Sequence, residues 1–238
     1  MTEDVHAKRR ERVATRLRET GADGLVCFPS RNLQYLTGFA EEPSERHLFL
    51  VVSADDPAAD EATAAVEPTL LVPTLYETQV REETTIGPVR TWADGDDPTA
   101  AVRALLGDLG LREGRLLVDD TMWATFTQDL RAAAPGAEWG LASEALADLR
   151  MRKDETELDA MRAAAEATDE TVRDLRALGA DAVGMTERDL ADRIADRLAA
   201  HGGEGVSFET VVGAGPNGAK PHHGHGDRAI RAGEPVVI

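Results

Sequence analysis

The sequence predicts an α/β domain over residues 1–150 and the beginning of a second domain over residues 151–238. In the first part, short apolar runs alternate with segments of helical periodicity, a pattern typical of a sheet with helices on its faces. Near Arg150 this alternation stops. A long amphipathic segment opens there, followed by a second helical segment, a glycine-rich stretch and two short apolar runs.

The elements of the first domain begin with an amphipathic helix. Val5, Val13 and Leu17 lie on one side of a charged segment that ends at Gly21. Four runs are apolar on both faces, which predicts strands covered by helices: Leu25–Phe28, Leu48–Val52, Leu70–Val72 and Leu116–Val118. Further helices are predicted at Pro98–Leu109 and Met122–Ala133.

The second domain opens with a long helix, for which Asp154 and Glu157 provide a capping signal. Its predicted packing face steps by three and four residues: Leu158, Met161, Ala165, Thr168, Val172 and Leu175. Thr186 is predicted to cap a second helix, with an apolar face at Leu190, Ile194 and Leu198. Short strands are predicted at Val211–Val212 and in the final run, Glu234–Ile238.

The charge balance excludes some classes of partner. The net charge is −18, with 44 acidic and 26 basic residues, so the field of the protein repels phosphate. We therefore expect neither nucleic-acid nor anionic-membrane binding. Lysine occurs only at positions 8, 153 and 220, and this acidic, lysine-poor composition is typical of halophilic proteins. The acidic stretch Ser53–Pro68 is predicted to be a solvated loop.

Cysteine use and the N-terminus favour a cytoplasmic protein. Cys27 is the single cysteine, which excludes an intramolecular disulfide and a multi-cysteine zinc site. Its apolar neighbours predict a buried thiol that does not act as a nucleophile. The first residues lack an apolar signal region, and no apolar run reaches the length needed to span a membrane.

Three histidines, His222, His223 and His225, lie between the glycine-rich stretch and the last apolar run. Adjacent residues point in different directions, so His222 and His223 are not expected to chelate one ion, whereas His223 and His225 could share one face of a strand. A dedicated zinc site needs three or four convergent ligands, and no thiolate lies nearby. Histidines of a solvated loop remain the alternative.

The segment "SFETVVGAGPNGAKPHHGHGDRAIRAGEPVVI" resembles the creatinase/prolidase family of pita-bread metallopeptidases, which includes Xaa-Pro aminopeptidases and Xaa-Pro dipeptidases. Asn32–Phe39 is similar to an "N-x-x-Y-L-T-G-F" segment of the family's N-terminal domain, and "LRMRKDETELDAMRAAAEA" resembles its junction between domains. The resemblance implies an α/β creatinase-like domain with a mixed sheet over 1–150. It implies an incomplete α+β pita-bread peptidase domain over 151–238.

For activity, the resemblance implies hydrolysis of the amide bond before proline in small peptides by a homodimer. It also implies two divalent metal ions (Mn, Co or Zn), held by two aspartates, a histidine and two glutamates. All five ligands are expected after Ile238, because the final strand stops one position before the first ligand. The chain alone is therefore expected to lack the metal site and to be inactive.

The resemblance also assigns roles to residues of this chain. The histidine that matches His222 donates a hydrogen bond to the substrate or to the tetrahedral intermediate, where an N–H stabilises developing negative charge. Phe208 is expected to line the substrate pocket or to pack in the core. His223 and His225 are expected to be solvated loop residues, and Asn32–Phe39 a structural turn without a paired acid or base.

Two other functions fit the same residues. One is a metal-free amidinohydrolase of the creatinase kind, in which His222 acts as the general base. The other is a non-catalytic scaffold with the same fold.

The glycine-rich stretch "GAGPNG" is not expected to bind phosphate, because it lacks the glycine order of a phosphate-binding loop and a lysine-serine pair.

Overall fold

The computed structural model describes residues 4–54 and 67–238 and divides into two compact units, Met1–Arg152 and Lys153–Ile238. Most of the acidic stretch predicted to be a loop, residues 55–66, lies outside the described residues. Among the helices of the described ranges, none is both long enough and apolar enough to cross a bilayer.

Among the described residues, the first unit contains a mixed sheet of six strands: β1 Gly24–Cys27, β2 Phe49–Ser53, β3 Thr69–Pro73, β4 Val89–Trp92, β5 Glu113–Val118 and β6 Gly136–Leu141. The order is β4-β3-β2-β1-β5-β6, and β2 runs antiparallel to both of its neighbours while the other pairs are parallel. The four strands predicted from apolar runs are confirmed. The edge strands β4 and β6 were not predicted, because half-exposed side chains replace the apolar run there.

In the described part of this unit, six α-helices accompany the sheet: α1 Val5–Glu19, α2 Arg31–Thr37, α3 Glu77–Glu83, α4 Pro98–Asp108, α5 Ala124–Ala133 and α6 Ser143–Met151. The prediction of a turn at Asn32–Phe39 is wrong, because most of that segment is α2. The Ser30 side chain caps α2 by accepting the N–H groups of Asn32 and Leu33, and Gly38 ends it with φ 82°.

Each face of the sheet has its own hydrophobic core. Leu25 and Cys27 of β1 belong to the cluster that α1, α2 and α6 share, whereas Val26 belongs to the cluster of α4 and α5. Because successive strand residues point to opposite faces, burial on both sides requires the continuous apolar runs of the sequence. Cys27 is fully buried, as predicted, and burial raises the pKa of its thiol well above the usual value, with Asp119 adding to the effect.

The second unit is led by two helices, α7 Glu155–Leu178 and α8 Glu187–Ala200, followed by β7 Gly213–Ala214 and β8 Val236–Val237, which pair antiparallel. The predicted caps at Asp154 and Thr186 are confirmed, and each forms a capping box. The strand predicted at Val211–Val212 lies two residues later. Gly213 is required there, because a Cβ would lie 2.9 Å from the backbone of Gly218.

The predicted packing face of α7 is wrong for most of its length. Met161 is 55% exposed and Val172 is 38% exposed, whereas Leu175 packs against the core of the second unit. That core consists of α8 residues together with Val212, Ala214 and Ile230. The buried residues of α7 are Ala167 and Thr171, each one position before a residue of the predicted face. Apolar periodicity therefore identified the helix but not which of its residues the second unit covers.

Candidate functional site

Residues 220–226, called here the histidine loop, connect the 3-10 turn Gly215–Ala219 to a segment that pairs with the start of α8. The Arg188 N–H donates to the Gly226 carbonyl at 3.0 Å, and the Glu187 N–H donates to the Arg228 carbonyl at 3.0 Å. On the other side, Gly224 forms an antiparallel bridge with Val211. Backbone pairing therefore anchors the loop near its C-terminal end.

A buried carboxylate lies beneath this loop. Glu187 is the first residue of α8, and its side chain is 0% exposed. Its Oε1 accepts the backbone N–H of Ala214 at 2.9 Å and the side-chain amide of Asn217 at 2.8 Å. Its Oε2 accepts Nε2–H of His223 at 2.9 Å and the backbone N–H of Gly226 at 3.2 Å. The carboxylate therefore joins β7, the 3-10 turn and the histidine loop.

These hydrogen bonds keep Glu187 ionised. Burial raises the pKa of its carboxyl, but the hydrogen bonds that it accepts, first the one from His223, outweigh burial and lower the pKa from 4.5 to about 2. An ionised carboxylate only accepts hydrogen bonds, so Nε2 of His223 carries a proton. The expectation that His223 is a solvated residue is therefore wrong.

His225 is also held by the protein. Its Nδ1 lies 2.9 Å from the carbonyl oxygen of Thr210, and since a carbonyl only accepts, Nδ1 carries the proton. This hydrogen bond supports the bridge between Gly224 and Val211. The expectation of a solvated His225 is wrong as well, because its side chain fastens the loop to the segment before β7.

His222 differs from its two neighbours. It is exposed, and its ring has no hydrogen-bond partner among the described residues. Its φ of 53° is the one positive value of a non-glycine residue in the described ranges. A left-handed conformation at a residue with a side chain is uncommon and persists only where the surroundings impose it. The loop therefore holds His222 in a left-handed conformation with its imidazole exposed.

Phe208 lies outside the hydrophobic core of the second unit, because its side chain is 76% exposed. Of the two roles expected for it, packing in the core is therefore wrong for this unit. Its role in a substrate pocket remains a prediction.

The described residues do not fit the two metal ions that the family resemblance implies. No group of three or more histidine, cysteine, aspartate or glutamate side chains that could hold an ion occurs in ranges 4–54 and 67–238. Within the loop, Nε2 of His223 and Nδ1 of His225 are committed to Glu187 and Thr210. We therefore derive no reaction step through a metal from these side chains.

The first unit has a polar site of its own, in a cavity of about 800 Å³. The buried Asp119 accepts hydrogen bonds from Phe28 N–H at 3.0 Å and from the Ser30 hydroxyl at 2.9 Å. It also accepts the Asn32 amide, whose oxygen accepts Arg150 Nη1 at 2.6 Å. Burial raises the pKa of the Asp119 carboxyl despite these hydrogen bonds. Asn32 thus links the carboxyl of Asp119 to the guanidinium of Arg150.

Sequence reasoning missed both buried carboxylates. Asp119 directly follows the apolar run of β5, and an acid at the end of a buried strand is a usable signal. Glu187 gives no such signal. An acidic residue in the first turn of a helix is ordinary, because it complements the helix dipole.

Comparison with known proteins covers both units. The Creatinase/Prolidase N-terminal domain matches residues 9–152, and Metallopeptidase family M24 matches residues 159–238. "Probable dipeptidase PepE" of Mycobacterium tuberculosis is 39% identical over 236 residues, which cover 99% of this chain and 59% of the relative. "Putative dipeptidase YkvY" of Bacillus subtilis is 27% identical, with 96% of this chain and 60% of the relative covered.

Solved structures of a dipeptidase and a prolidase are similar to this chain over both of its units. Dipeptidase PepE from Mycobacterium ulcerans superposes with a TM-score of 0.82 at 33% identity, covering 99% of this chain and 60% of that one. A recombinant prolidase from Thermococcus sibiricus gives a TM-score of 0.85 at 29% identity, covering 99% and 61%. The chain thus spans 59% to 61% of the length of these relatives. With its mixed-sheet N-terminal domain and the first elements of a pita-bread domain, the chain belongs to the creatinase/prolidase family of metallopeptidases.

Proposed function

We propose that the whole protein, meaning this chain together with a complete M24 domain, is an Xaa-Pro dipeptidase or aminopeptidase. It hydrolyses the amide bond before proline in small peptides. The exposed His222, presented at a left-handed residue of the histidine loop, is the observation that carries the proposal. The relatives named as dipeptidases supply the reaction class, since their similarity extends over both units.

His222 supplies the chemistry proposed for this chain. Attack on an amide carbonyl places negative charge on its oxygen, and an imidazole N–H directed at that oxygen stabilises the charge. No protein group among the described residues forms a hydrogen bond with the His222 ring, so the N–H of the ring is available to a substrate. The exposed Phe208 is proposed to contact the side chain or the proline ring of the peptide.

Membership of a metallopeptidase family implies divalent metal ions, which activate water and polarise the carbonyl when bound. We propose two ions, Mn, Co or Zn, with ligands in the part of the M24 domain that follows residue 238 in the family. Residues 1–238 alone are accordingly proposed to be inactive.

A substrate panel tests the proposal. The whole protein, loaded with Mn or Co, is expected to cleave Xaa-Pro dipeptides on the order of 100-fold faster in kcat/KM than matched Xaa-Ala dipeptides, the discrimination that shape-selective pockets reach. Tripeptides Xaa-Pro-Xaa separate an aminopeptidase from a dipeptidase. Hydrolysis of creatine by metal-free protein would instead establish an amidinohydrolase, and inertness towards every substrate would favour a scaffold.

We also propose that the protein acts as a homodimer in the cytoplasm of a halophile. Eighteen net negative charges repel one another, and screening shortens the range of that repulsion to about 3 Å at 1 M salt. The melting temperature is therefore expected to rise between roughly 0.1 M and 1 M KCl, a range in which the screening length falls about threefold. Differential scanning calorimetry checks it. A flat or falling melting temperature would contradict the halophilic origin.

Sedimentation velocity measures whether the protein is a dimer or a monomer in solution.

A further inference from the structure

The Glu187 carboxylate uses its full capacity as an acceptor. Each of its oxygens takes two hydrogen bonds, and the four donors come from three separate stretches of chain around β7, the 3-10 turn and the histidine loop. In the described residues no lysine or arginine pairs with it, and the histidine that contacts it is His223. A buried charge is tolerated only when it is hydrogen-bonded in this way, so the arrangement depends on all four donors.

Two of these donors follow His222 closely in the histidine loop. His223 directly follows His222, and Gly226 closes the loop three residues later. The His222 ring itself contacts no hydrogen-bonding group of the described chain. Its direction therefore follows from its backbone, which has a left-handed conformation and continues directly into the anchored His223.

We propose that Glu187 is a positioning residue for His222: by binding His223 and Gly226 it holds the histidine loop in the conformation that aims the His222 imidazole at the substrate. This inference rests on the proposed role of His222. Glu187 touches neither substrate nor reacting atoms in this scheme, and it acts through the backbone of the loop.

The carboxylate is specifically required. In Glu187→Gln one oxygen becomes an NH₂ group, which then faces two donors on that side and repels them. In Glu187→Asp the side chain is one methylene shorter, so its oxygens withdraw from the loop while the charge stays buried. A glutamine of the same size therefore removes the acceptor function of one oxygen and leaves the volume unchanged.

The test uses the whole protein with Glu187→Gln and a matched control, Asp189→Asn. Asp189 lies on the same helix two residues away and contacts the Thr186 N–H rather than the loop. Glu187→Gln is expected to lower kcat by about 10- to 100-fold with little change in KM and with metal content intact, because displacing a catalytic group by about 1 Å has effects of this size. Asp189→Asn is expected to leave kcat within about twofold, since it disturbs only a helix cap.

Hydrogen exchange gives a readout that does not depend on activity. The Gly226 N–H donates to Glu187, so Glu187→Gln is expected to accelerate exchange of peptides covering residues 220–226 by about tenfold, the equivalent of one lost hydrogen bond. Asp189→Asn is expected to leave this exchange unchanged. Should Glu187→Gln fail to fold, His223→Leu takes its place, because it removes one donor to Glu187 from the loop. His223→Leu is then expected to lower kcat, and His223→Gln, which keeps a donor, is expected to restore it.

The outcomes are distinguishable. Slow turnover of His222→Ala combined with normal kcat and normal loop exchange in Glu187→Gln would overturn the positioning role and leave the proposed function standing. Normal turnover of His222→Ala would overturn the proposed function, and the positioning role with it. Equal losses of kcat in Glu187→Gln and Asp189→Asn would also overturn the positioning role, because they would reflect general destabilisation of α8.

Discussion

Replacing His222 by alanine in the whole protein is expected to lower kcat/KM by on the order of 100-fold or more, the usual effect of losing one donor to a developing oxyanion. The ring is exposed and has no protein partner in the described residues, so its removal breaks no hydrogen bond of the fold. The melting temperature and the bound metal should therefore stay unchanged. Steady-state kinetics on an Xaa-Pro dipeptide, with metal analysis of the same sample, measures both.

His225→Ala is the matched control. Its ring bonds the Thr210 carbonyl and points to the protein, so its removal is expected to affect stability more than turnover. Equal losses of activity in His222→Ala and His225→Ala would show that loop integrity, and not an N–H donor, explains the effect. Loss of metal in His222→Ala would show that His222 is a ligand.

Replacing Asp119 by alanine is expected to lower the free energy of unfolding of the first unit by about 3 kcal/mol or more, since each stranded donor costs about 1–3 kcal/mol. Asp119 is 3% exposed and accepts the Phe28 N–H, the Ser30 hydroxyl and the Asn32 amide. The Ser30 hydroxyl belongs to the cap of α2, and the Asn32 amide leads to Arg150. Urea denaturation of the unaltered protein and of Asp119→Ala measures the change in the free energy of unfolding.

Asp120→Ala provides the comparison, because Asp120 is the next residue, is exposed and accepts a single backbone N–H, from Ser143. We expect it to cost about 1 kcal/mol or less, the net contribution of an ordinary hydrogen bond. Similar losses in both variants would contradict the account of Asp119 as the centre of a buried network.

The sequence predicted those strands of the sheet whose side chains are buried on both faces. β1, β2, β3 and β5 each contain a continuous apolar run, whose side chains enter a core on both faces of the sheet. β6 pairs with β5 over its whole length, yet it contains Gly136, Glu138 and Gly140 and carries no such pattern. Its strand conformation comes from hydrogen bonds to a neighbour, which a local pattern does not record.

The same distinction holds for the site. The resemblance located His222 from adjacent residues, but Glu187 becomes important only through donors 27 to 39 positions further along the chain. Its burial depends on how β7 and the loop fold back over the start of α8. Charge and helix periodicity are local properties, so they identified the capped helix and not its use as an anchor.

The low pKa of Glu187 has a consequence in acid. A carboxyl whose folded pKa is about 2, below its usual 4.5, contributes stability that is complete above pH 4.5 and is lost as the pH falls towards 2. The anchor of the histidine loop therefore keeps its charge throughout the range in which enzymes of neutral cytoplasm work. A fall of activity between pH 7 and pH 5 would thus arise from groups other than Glu187, which stays ionised over that range.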